Sequence, residues 1–165
     1  MAETNWRAAV VTVSDRVSRG ESEDRSGPLA ARLLEEAGLE IVAREIVPDE
    51  RDRIESTLRA LIDRERPLLL VTTGGTGFMP RDVTPEATRS VIEKSAPGVM
   101  EEIRRRGVEK GVVPASIGRG VSGIAGRTWI VNLPGSVGAV RDGVETILPL
   151  VDHALKHIGG TGGHD

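Results

Sequence analysis

Short apolar runs alternate along the chain with segments whose apolar residues recur at helical spacing. Residues 8–14 and 68–73 are runs of uncharged, mostly apolar residues, which is typical of strands covered on both faces. Residues 39–47 alternate well enough to predict another strand. Residues 29–37 and 54–62 carry leucine and isoleucine three or four positions apart, as on one buried helix face. This order predicts βαβ units and an α/β fold: a three-layer α/β/α sandwich with a mostly parallel central sheet.

Turn and capping residues predict where these helices begin and end. Pro28 is expected to open the first helix and Gly38 to close it. Asp49 and Thr84 are predicted to be the N-caps of the next two helices, because aspartate and threonine accept hydrogen bonds from a first helical turn. The polar stretch 15–27 is long for a strand-to-helix loop, so we expect it to be functional or mobile.

The second half of the chain predicts a small β-hairpin. Residues 121–124 and 128–133 flank a tight Ala-Gly turn. Trp129 lies on this hairpin, and we expect it either to flank a subunit interface or to be simply a core or surface residue. Further helices are predicted at 85–94, 99–107 and 140–158, the last interrupted at Pro149, with a floppy tail from Gly159 onward.

Composition narrows the classes of function. A chain of 165 residues predicts a single domain, 1–165, with an ordered core at about 7–158. The net charge of −3 gives no general field for nucleic acid, so we expect no nucleic-acid partner. No cysteine is present, which excludes disulfides, thiolate metal sites and cysteine nucleophiles. No apolar run is long enough for a membrane span, and we expect a cytoplasmic protein without a membrane partner.

The segment 72–86 carries the strongest functional signal. It joins a predicted buried strand to a predicted helix through a glycine-dense loop that also holds Thr76, Arg81 and Asp82. Glycines allow positive φ and close approach of a ligand to backbone N–H groups. The arginine would bind an anion and the aspartate could hold Mg²⁺. No Walker A motif or dinucleotide fingerprint is present, and the alternative is that the glycines only make a tight turn.

Other polar segments follow the remaining predicted strands. Ser14 and Asp15 come after the first strand, Asp49 after the second, and the small-residue loop 134–136 after the last. Open parallel sheets bind ligands beyond the carboxyl ends of their strands. We therefore expect these segments and the glycine loop to converge on one site.

Taken together, these motifs closely resemble the MogA/MoaB family of molybdenum cofactor biosynthesis proteins, which includes the gephyrin G-type domains. The resemblance runs from about Arg7 to Ile158 and rests on the segments 11–15, 24–28, 47–50, 72–88 and 132–136. It implies a trimeric or hexameric domain that binds molybdopterin. The implied activity is Mg²⁺-dependent transfer of AMP from ATP to the molybdopterin phosphate, with release of pyrophosphate.

The resemblance also assigns candidate residues. Asp49 and Asp82 match the family's acidic positions and become the candidate catalytic and Mg²⁺-holding pair. The expected substrate-binding residues are Thr73, Gly74, Gly75, Thr76, Gly77, Arg81 and Thr84. The expected nucleotide-binding residues are Ser14, Asp15, Ser26, Gly27, Pro134, Gly135 and Ser136.

The chain departs from the family pattern at two places. Val137 stands where the family often has proline, and Ile117 and Gly118 stand where it often has leucine and serine before Arg119. Two other functions stay open at this point: a molybdopterin-binding scaffold of the MoaB type that does not use ATP, and a purely structural assembly domain. Retention of both Asp49 and Asp82 favours the enzyme, and a structural domain leaves the polar loop unexplained.

Overall fold

The computed structural model describes residues 5–160 and contains one six-stranded sheet with the strand order β2-β1-β3-β6-β5-β4. The strands are β1 (Arg7–Val13), β2 (Glu40–Val47), β3 (Leu69–Thr73), β4 (Lys94–Ser95), β5 (Ser122–Ala125) and β6 (Thr128–Leu133). Strands β2, β1, β3 and β6 run parallel, whereas β5 is antiparallel to β6 and β4 is antiparallel to β5. The predicted mostly parallel sheet and its hairpin are confirmed.

Among residues 5–160, six α-helices complete the fold: α1 (Asp15–Ser18), α2 (Ser26–Glu36), α3 (Arg51–Glu65), α4 (Thr84–Val91), α5 (Pro97–Glu109) and α6 (Val137–Gly159). A short 3-10 helix (Val113–Ile117) follows α5. Buried residues of α2, α5 and α6 form one core cluster with the sheet, and those of α3 and α4 form a second. The helices therefore cover the sheet from both sides, which confirms the three-layer α/β/α sandwich.

The two cores divide the side chains of each central strand between them. In β1, Ala8 and Val10 belong to the cluster on the α2 side, whereas Ala9 and Val11 belong to the cluster on the α3 side. This alternation follows from the two-residue period of a strand. Each fully buried Val or Leu side chain stabilises the fold by about 1.5–3 kcal/mol relative to exposure. Burial on both faces explains why these strands appear as continuous apolar runs.

Helix boundaries near the site differ from the prediction. The segment 15–27, expected as a loop, contains α1, whose first turn is capped by Ser14 through a hydrogen bond from the N–H of Val17 to Oγ (3.2 Å). Helix α2 begins at Ser26, two residues before Pro28. Gly38 follows the end of this helix with a φ of 93°, as its position predicted.

Asp49 and Thr84 are not N-caps, and that part of the prediction is wrong. Helix α3 has Glu50 at its N-cap and no side-chain cap, because the Asp49 carboxylate instead accepts a hydrogen bond from the N–H of Asp15. Thr84 is the first residue of α4, and its hydroxyl donates to the carbonyl of Gly74. Helix α4 also ends earlier than expected, and Lys94–Ser95 form β4 instead.

Helix α6 is continuous through Pro149, contrary to the predicted interruption. Pro149 lies on the exposed side, while buried Ile147 and Val151 on either side of it pack into the core. This packing offsets the backbone hydrogen bond that proline removes. Ser136 caps the helix through Oγ, which accepts from the N–H of Ala139 (3.2 Å). Most of the predicted floppy tail, residues 161–165, lies outside the described residues.

Trp129 is a core residue. Its side chain is buried in the α2-side cluster, and its indole N–H donates to Ser122 Oγ (2.8 Å) across the hairpin. Packing in the core therefore explains a tryptophan at this position without a subunit interface. Within residues 5–160, no helix has both the length and the hydrophobicity that crossing a bilayer requires.

A buried asparagine links the centre of the sheet to its surroundings. Asn132 on β6 is fully buried. Its amide nitrogen donates to the hydroxyls of Thr72 (2.9 Å) and Thr88 (3.0 Å), and its oxygen accepts from the N–H of Val121 (3.1 Å). These contacts join β6 to β3, to α4 and to the segment before β5.

We predict that Asn132→Ala lowers the free energy of unfolding by about 2–4 kcal/mol, because it leaves the partly buried N–H of Val121 and the buried hydroxyl of Thr72 without a partner and removes one of the two partners of the Thr88 hydroxyl. Chemical denaturation measures the change. The matched control is Asn5→Ala, at an exposed asparagine, which should change stability by less than about 0.5 kcal/mol. Equal stability of the two variants would contradict the assignment.

Candidate functional site

The candidate site lies at the carboxyl edge of the four parallel strands. Strands β1, β2, β3 and β6 all end there, and each is followed by a segment that carries predicted site residues. The structure brings these segments into contact: Asp15 bonds to Asp49, and Gly74 bonds to Leu133. The convergence that we expected from the position of these segments directly after predicted parallel strands is observed.

Gly74 is the point at which three strand ends meet. Its N–H donates to the carbonyl of Leu133 (2.9 Å), and a Cβ added to it would overlap the carbonyl oxygen of Val13. A Cβ on Gly135 would lie 3.3 Å from the Cα of Gly74. The φ of Gly74 is 92°, so both backbone conformation and space require glycine here.

Thr84 anchors the glycine loop to the start of α4. Its side chain is fully buried, its hydroxyl donates to the carbonyl of Gly74 (2.9 Å), and its N–H donates to the carbonyl of Gly75 (3.1 Å). Thr73 is also fully buried, and its hydroxyl shares a hydrogen bond with Ser26 (2.8 Å). These threonines fix the loop to the sheet and to α2.

The next part of the loop presents unused hydrogen-bond donors. Within residues 5–160, the N–H groups of Gly75, Thr76 and Gly77 donate no hydrogen bond to another protein group. All three residues line a cleft of about 570 Å³. Successive backbone N–H groups of this kind form a binding concavity for anions. The loop therefore has the chemistry of a phosphate cradle.

Asp15 and Asp49 hold each other by reciprocal hydrogen bonds. The N–H of Asp15 donates to Asp49 Oδ2 and the N–H of Asp49 donates to Asp15 Oδ1, both at 2.9 Å. Arg81 donates to both oxygens of Asp15 through Nε and Nη2. This hydrogen bond from Arg81 is the main reason that the pKa of Asp15 lies below its ordinary value. Arg81, expected to face the substrate, is paired with Asp15 while its side chain stays largely exposed.

Asp49 is electrostatically strained. Burial raises the pKa of Asp49, and the negative charges of Asp15 and Asp82 raise it further. The N–H of Asp15 and the positive charge of Arg81 oppose this shift without cancelling it. Asp49 and Asp82 thus lie close enough to repel each other, as a cation-holding pair must.

Asp82 packs against a different part of the glycine loop from Asp49. Its Oδ2 accepts from the N–H of Met79 (2.9 Å), and a Cβ on Gly77 would lie 2.8 Å from that oxygen. Asp49 Oδ1 would similarly lie 3.1 Å from a Cβ on Gly75. Each aspartate therefore packs against a different glycine of the loop.

The acidic pair fits a magnesium ion. In the described part of the chain, Oδ1 of Asp49 and Oδ1 of Asp82 accept no hydrogen bond, so each can offer one oxygen to a cation. No group of three or more His, Cys, Asp or Glu with metal-binding geometry is found among residues 5–160. Mg²⁺ commonly takes one or two carboxylates and completes its shell with phosphate oxygens and water. The donor set suits Mg²⁺ bound together with a phosphate-bearing substrate.

Two clefts flank the ridge formed by Gly74 and Gly135, which line both. The larger, of about 570 Å³, has an apolar wall from α5 and the 3-10 helix, and its outer end reaches Ser136 at the start of α6. The smaller, of about 470 Å³, is lined mainly by polar groups, including Ser14, Ser26 and Thr73. A phosphate at the ridge could therefore carry a group into each cleft.

Asp24 organises the floor of the smaller cleft and was missed as a site residue. Its carboxylate accepts from the hydroxyl of Thr12 (2.9 Å) and from the N–H of Gly27 (3.0 Å). A Cβ on Gly27 would overlap the Thr12 hydroxyl, so glycine lets α2 approach β1. The sequence did contain a signal for Asp24, because this aspartate lies two residues before a Ser-Gly-Pro helix start.

Arg119 is the second residue that sequence reasoning missed. It follows the 3-10 helix, yet its guanidinium donates to the carbonyls of Gly77 and Asp82 and to the Glu86 carboxylate. Its partners lie 33 to 42 positions away in sequence. No local pattern could have connected it to the glycine loop.

Comparison with known proteins agrees with this geometry. A family model described as "Probable molybdopterin binding domain" matches residues 9–153. A Drosophila melanogaster protein named molybdenum cofactor synthesis protein cinnamon is 45% identical over 91% of this chain, although the chain spans only 25% of that protein's length. A Helicobacter pylori protein named molybdopterin adenylyltransferase is 40% identical over 92% of this chain and 86% of its own length.

The fold is shared with a solved relative. The crystal structure of the molybdopterin biosynthesis enzyme MoaB from Thermus thermophilus superposes with a TM-score of 0.88 at 42% sequence identity. The superposition covers 94% of this chain and 97% of that one. Family model, sequence relatives and structure thus agree over nearly the whole chain, which belongs to the molybdopterin-binding domain family of molybdenum cofactor biosynthesis proteins.

Proposed function

We propose that the chain is a molybdopterin adenylyltransferase that moves AMP from ATP to the molybdopterin phosphate and releases pyrophosphate. The observation that carries the proposal is the row of three free N–H groups at Gly75, Thr76 and Gly77, with Asp49 and Asp82 against the same loop. Phosphoryl and nucleotidyl transfer need such a phosphate cradle beside a cation site. The relatives named molybdopterin adenylyltransferase support the same activity.

The chain's own residues act by positioning and by charge. The attacking phosphate oxygen of molybdopterin is already ionised, so the reaction needs no general base. The free loop N–H groups bind phosphate oxygens, and the two clefts separate the pterin side from the nucleotide side. We assign the glycine loop and Arg81 to molybdopterin, and we assign Ser14, Asp15 and the 134–136 loop to ATP. Ser14 lines the smaller cleft and Gly135 lines both clefts, whereas Pro134 and Ser136 line the larger one. Asp49 and Asp82 would hold Mg²⁺, which neutralises triphosphate charge and stabilises the departing pyrophosphate.

Arg81 has a second role in the proposed reaction, which is to exchange its protein partner for a substrate phosphate. It is paired with Asp15 in the structure, and its exposed guanidinium can exchange that carboxylate for a substrate phosphate, which it can bind through two nitrogens. Such an exchange leaves Asp15 Oδ2 without its partner, while Oδ1 still accepts from the N–H of Asp49. We place the reaction in the cytoplasm, where ATP is supplied.

Incubation of the purified protein with molybdopterin, ATP and Mg²⁺ tests the function. Adenylylated molybdopterin and pyrophosphate should form in equal amounts, and neither should form when Mg²⁺ is removed by a chelator. Binding of molybdopterin without formation of either product would instead support the scaffold function. Absence of both binding and transfer would contradict the assignment of the site.

We predict that Asp82→Asn lowers the rate of AMP transfer by about a hundredfold or more, roughly 3 kcal/mol of transition-state stabilisation, because it removes charge while keeping size. The rate is measured by following pyrophosphate release. Asp63→Asn is the matched control, since Asp63 is exposed on α3. Parent-level turnover by Asp82→Asn would remove Asp82 from the mechanism.

Asp49→Asn should lose transfer activity without losing stability. Because the pKa of Asp49 is raised in the folded protein, its ionised form disfavours folding. The metal-free variant should therefore melt at the same temperature as the parent, or higher, at pH 7. Any increase in melting temperature over the parent should vanish as the pH falls below the ordinary aspartate pKa of about 3.9, because Asp49 is then protonated in both the folded and the unfolded state. A lower melting temperature at pH 7 would assign Asp49 a structural role instead.

We propose a closed trimer or a dimer of trimers. Several large apolar side chains are exposed on the described monomer, among them Phe78, Met79 and Val113, and closed rings bury one patch against a different patch of the neighbour. Light scattering at micromolar concentration should give three or six times the 17.6 kDa of one chain. A mass of one chain would refute the assembly.

A further inference from the structure

Arg119 joins four points of the glycine loop and the helix that follows it. Its backbone N–H donates to the carbonyl of Thr76 (3.0 Å). Its Nε donates to the carbonyl of Gly77 (2.9 Å), its Nη2 to the carbonyl of Asp82 (2.8 Å), and its Nη1 to Glu86 Oε1. One side chain thus brackets the segment 77–82, which ends in the candidate catalytic aspartate.

Within a single subunit, that segment has little packing of its own. Phe78 and Met79, its largest apolar side chains, are 68% and 71% exposed. Its internal hydrogen bonds form one tight turn, in which the N–H of Asp82 donates to the carbonyl of Met79 and the N–H of Met79 donates to Asp82 Oδ2. The turn fixes the Asp82 carboxylate relative to its own backbone. The position of the whole turn then depends on contacts with the rest of the protein.

Two arginines supply such contacts, and they differ in burial. Arg81 reaches Asp15 from a side chain that is 60% exposed, whereas the Arg119 side chain is 31% exposed. Charge-assisted hydrogen bonds are stronger than neutral ones and gain strength where water is excluded. Arg119 is therefore the firmer of the two anchors.

Glu86 holds Arg119 in place from the first turn of α4. Burial by itself would raise the pKa of Glu86. Hydrogen bonds to the carboxylate from Arg119 and from the backbone of Glu86, together with the positive charges of Arg119 and Arg89, instead bring this pKa below its ordinary value. The carboxylate is thus ionised opposite the guanidinium. Within residues 5–160, the buried Oε2 of Glu86 has no hydrogen-bond partner. The ion pair that Oε1 makes with Arg119 therefore offsets the cost of burying the Glu86 charge.

We propose that Arg119 is a positioning residue for AMP transfer: by clamping the carbonyls of Gly77 and Asp82, it sets the turn that presents the Asp82 carboxylate to the reacting phosphates. Arg119 lines neither of the two clefts assigned to the substrates, so its part in the reaction is to position Asp82. This inference rests on the proposed function for its catalytic consequence, but the clamp on the segment 77–82 can be measured without any turnover.

Lysine cannot replace this arginine. The guanidinium reaches two backbone carbonyls and one carboxylate from three different nitrogens of one plane, whereas lysine offers one ammonium nitrogen on a flexible stem. Arg119→Lys keeps the positive charge opposite Glu86 and can keep that ion pair, but it releases at least one of the two loop carbonyls. The variant therefore tests the loss of hydrogen bonds to the loop carbonyls while the positive charge opposite Glu86 is kept.

The matched control is Arg105→Lys. Arg105 lies on α5, is 58% exposed, and makes surface ion pairs with Glu102 and Glu109. Exposed pairs of this kind contribute little to stability. The control therefore makes the same chemical change away from the loop, and it should retain parent activity and parent stability.

The first measurement is backbone hydrogen exchange read by mass spectrometry. Peptides that cover 77–82 should exchange faster in Arg119→Lys than in the parent, while peptides from β1, β3 and α6 stay unchanged. Arg105→Lys should match the parent throughout. Equal exchange of the 77–82 peptides in the parent and Arg119→Lys would overturn the inference, whether or not the protein transfers AMP.

The second measurement is a double-mutant cycle on the transfer rate. Arg119→Lys should lower kcat by about tenfold to a hundredfold, as expected for a small misplacement of a catalytic group, with a smaller change in the KM for molybdopterin. Added to Asp82→Asn, it should cost little more, because both changes act through the same carboxylate. Full additivity would show that Arg119 does not act through Asp82. An inactive parent would refute the proposed function alone, and the exchange data would still decide the clamp.

Discussion

The close backbone approach at Gly74 sets the geometry of the whole site. Here the chain leaves β3 between the ends of β1 and β6, touching the carbonyl of Val13 on one side and bonding to that of Leu133 on the other. A side chain at this position would push the strand ends apart. Gly74 uses its N–H to hold β6, whereas the N–H groups of the next three residues, which line the larger cleft, stay free.

The electrostatics of the site oppose stability and favour function. Asp15, Asp49 and Asp82 converge within one loop cluster, and burial together with mutual repulsion raises the pKa of Asp49. Arg81 compensates for part of this charge through Asp15, whereas Arg119 holds the loop through its carbonyls and pairs its charge with Glu86. A cation between the carboxylates would relieve the remaining repulsion. Stored repulsion of this kind is typical of sites that bind charged ligands and perturb pKa values.

Much of the fold could be predicted because its signals are local. The apolar run of β3 and the Ala125-Gly126 turn of the hairpin depend on neighbouring residues, and both elements are observed. Asp49 and Thr84 were wrongly predicted as caps, because aspartate and threonine bond equally well to a distant loop and to a helix terminus. Their actual partners lie 34 and 10 positions away. Arg119 was missed for the same reason, since only tertiary structure brings it to the loop.

Amide chemical shifts in nuclear magnetic resonance spectra test the central claim most directly. Pyrophosphate with Mg²⁺ is titrated into the labelled protein, and a matched titration uses Mg²⁺ alone. The account predicts saturable shifts at the N–H groups of Gly75, Thr76 and Gly77 with pyrophosphate, because these donors are free to bind phosphate oxygens, and little change at Gly74, whose N–H is already bonded. Shifts confined to other parts of the protein, or none at saturating pyrophosphate, would contradict it.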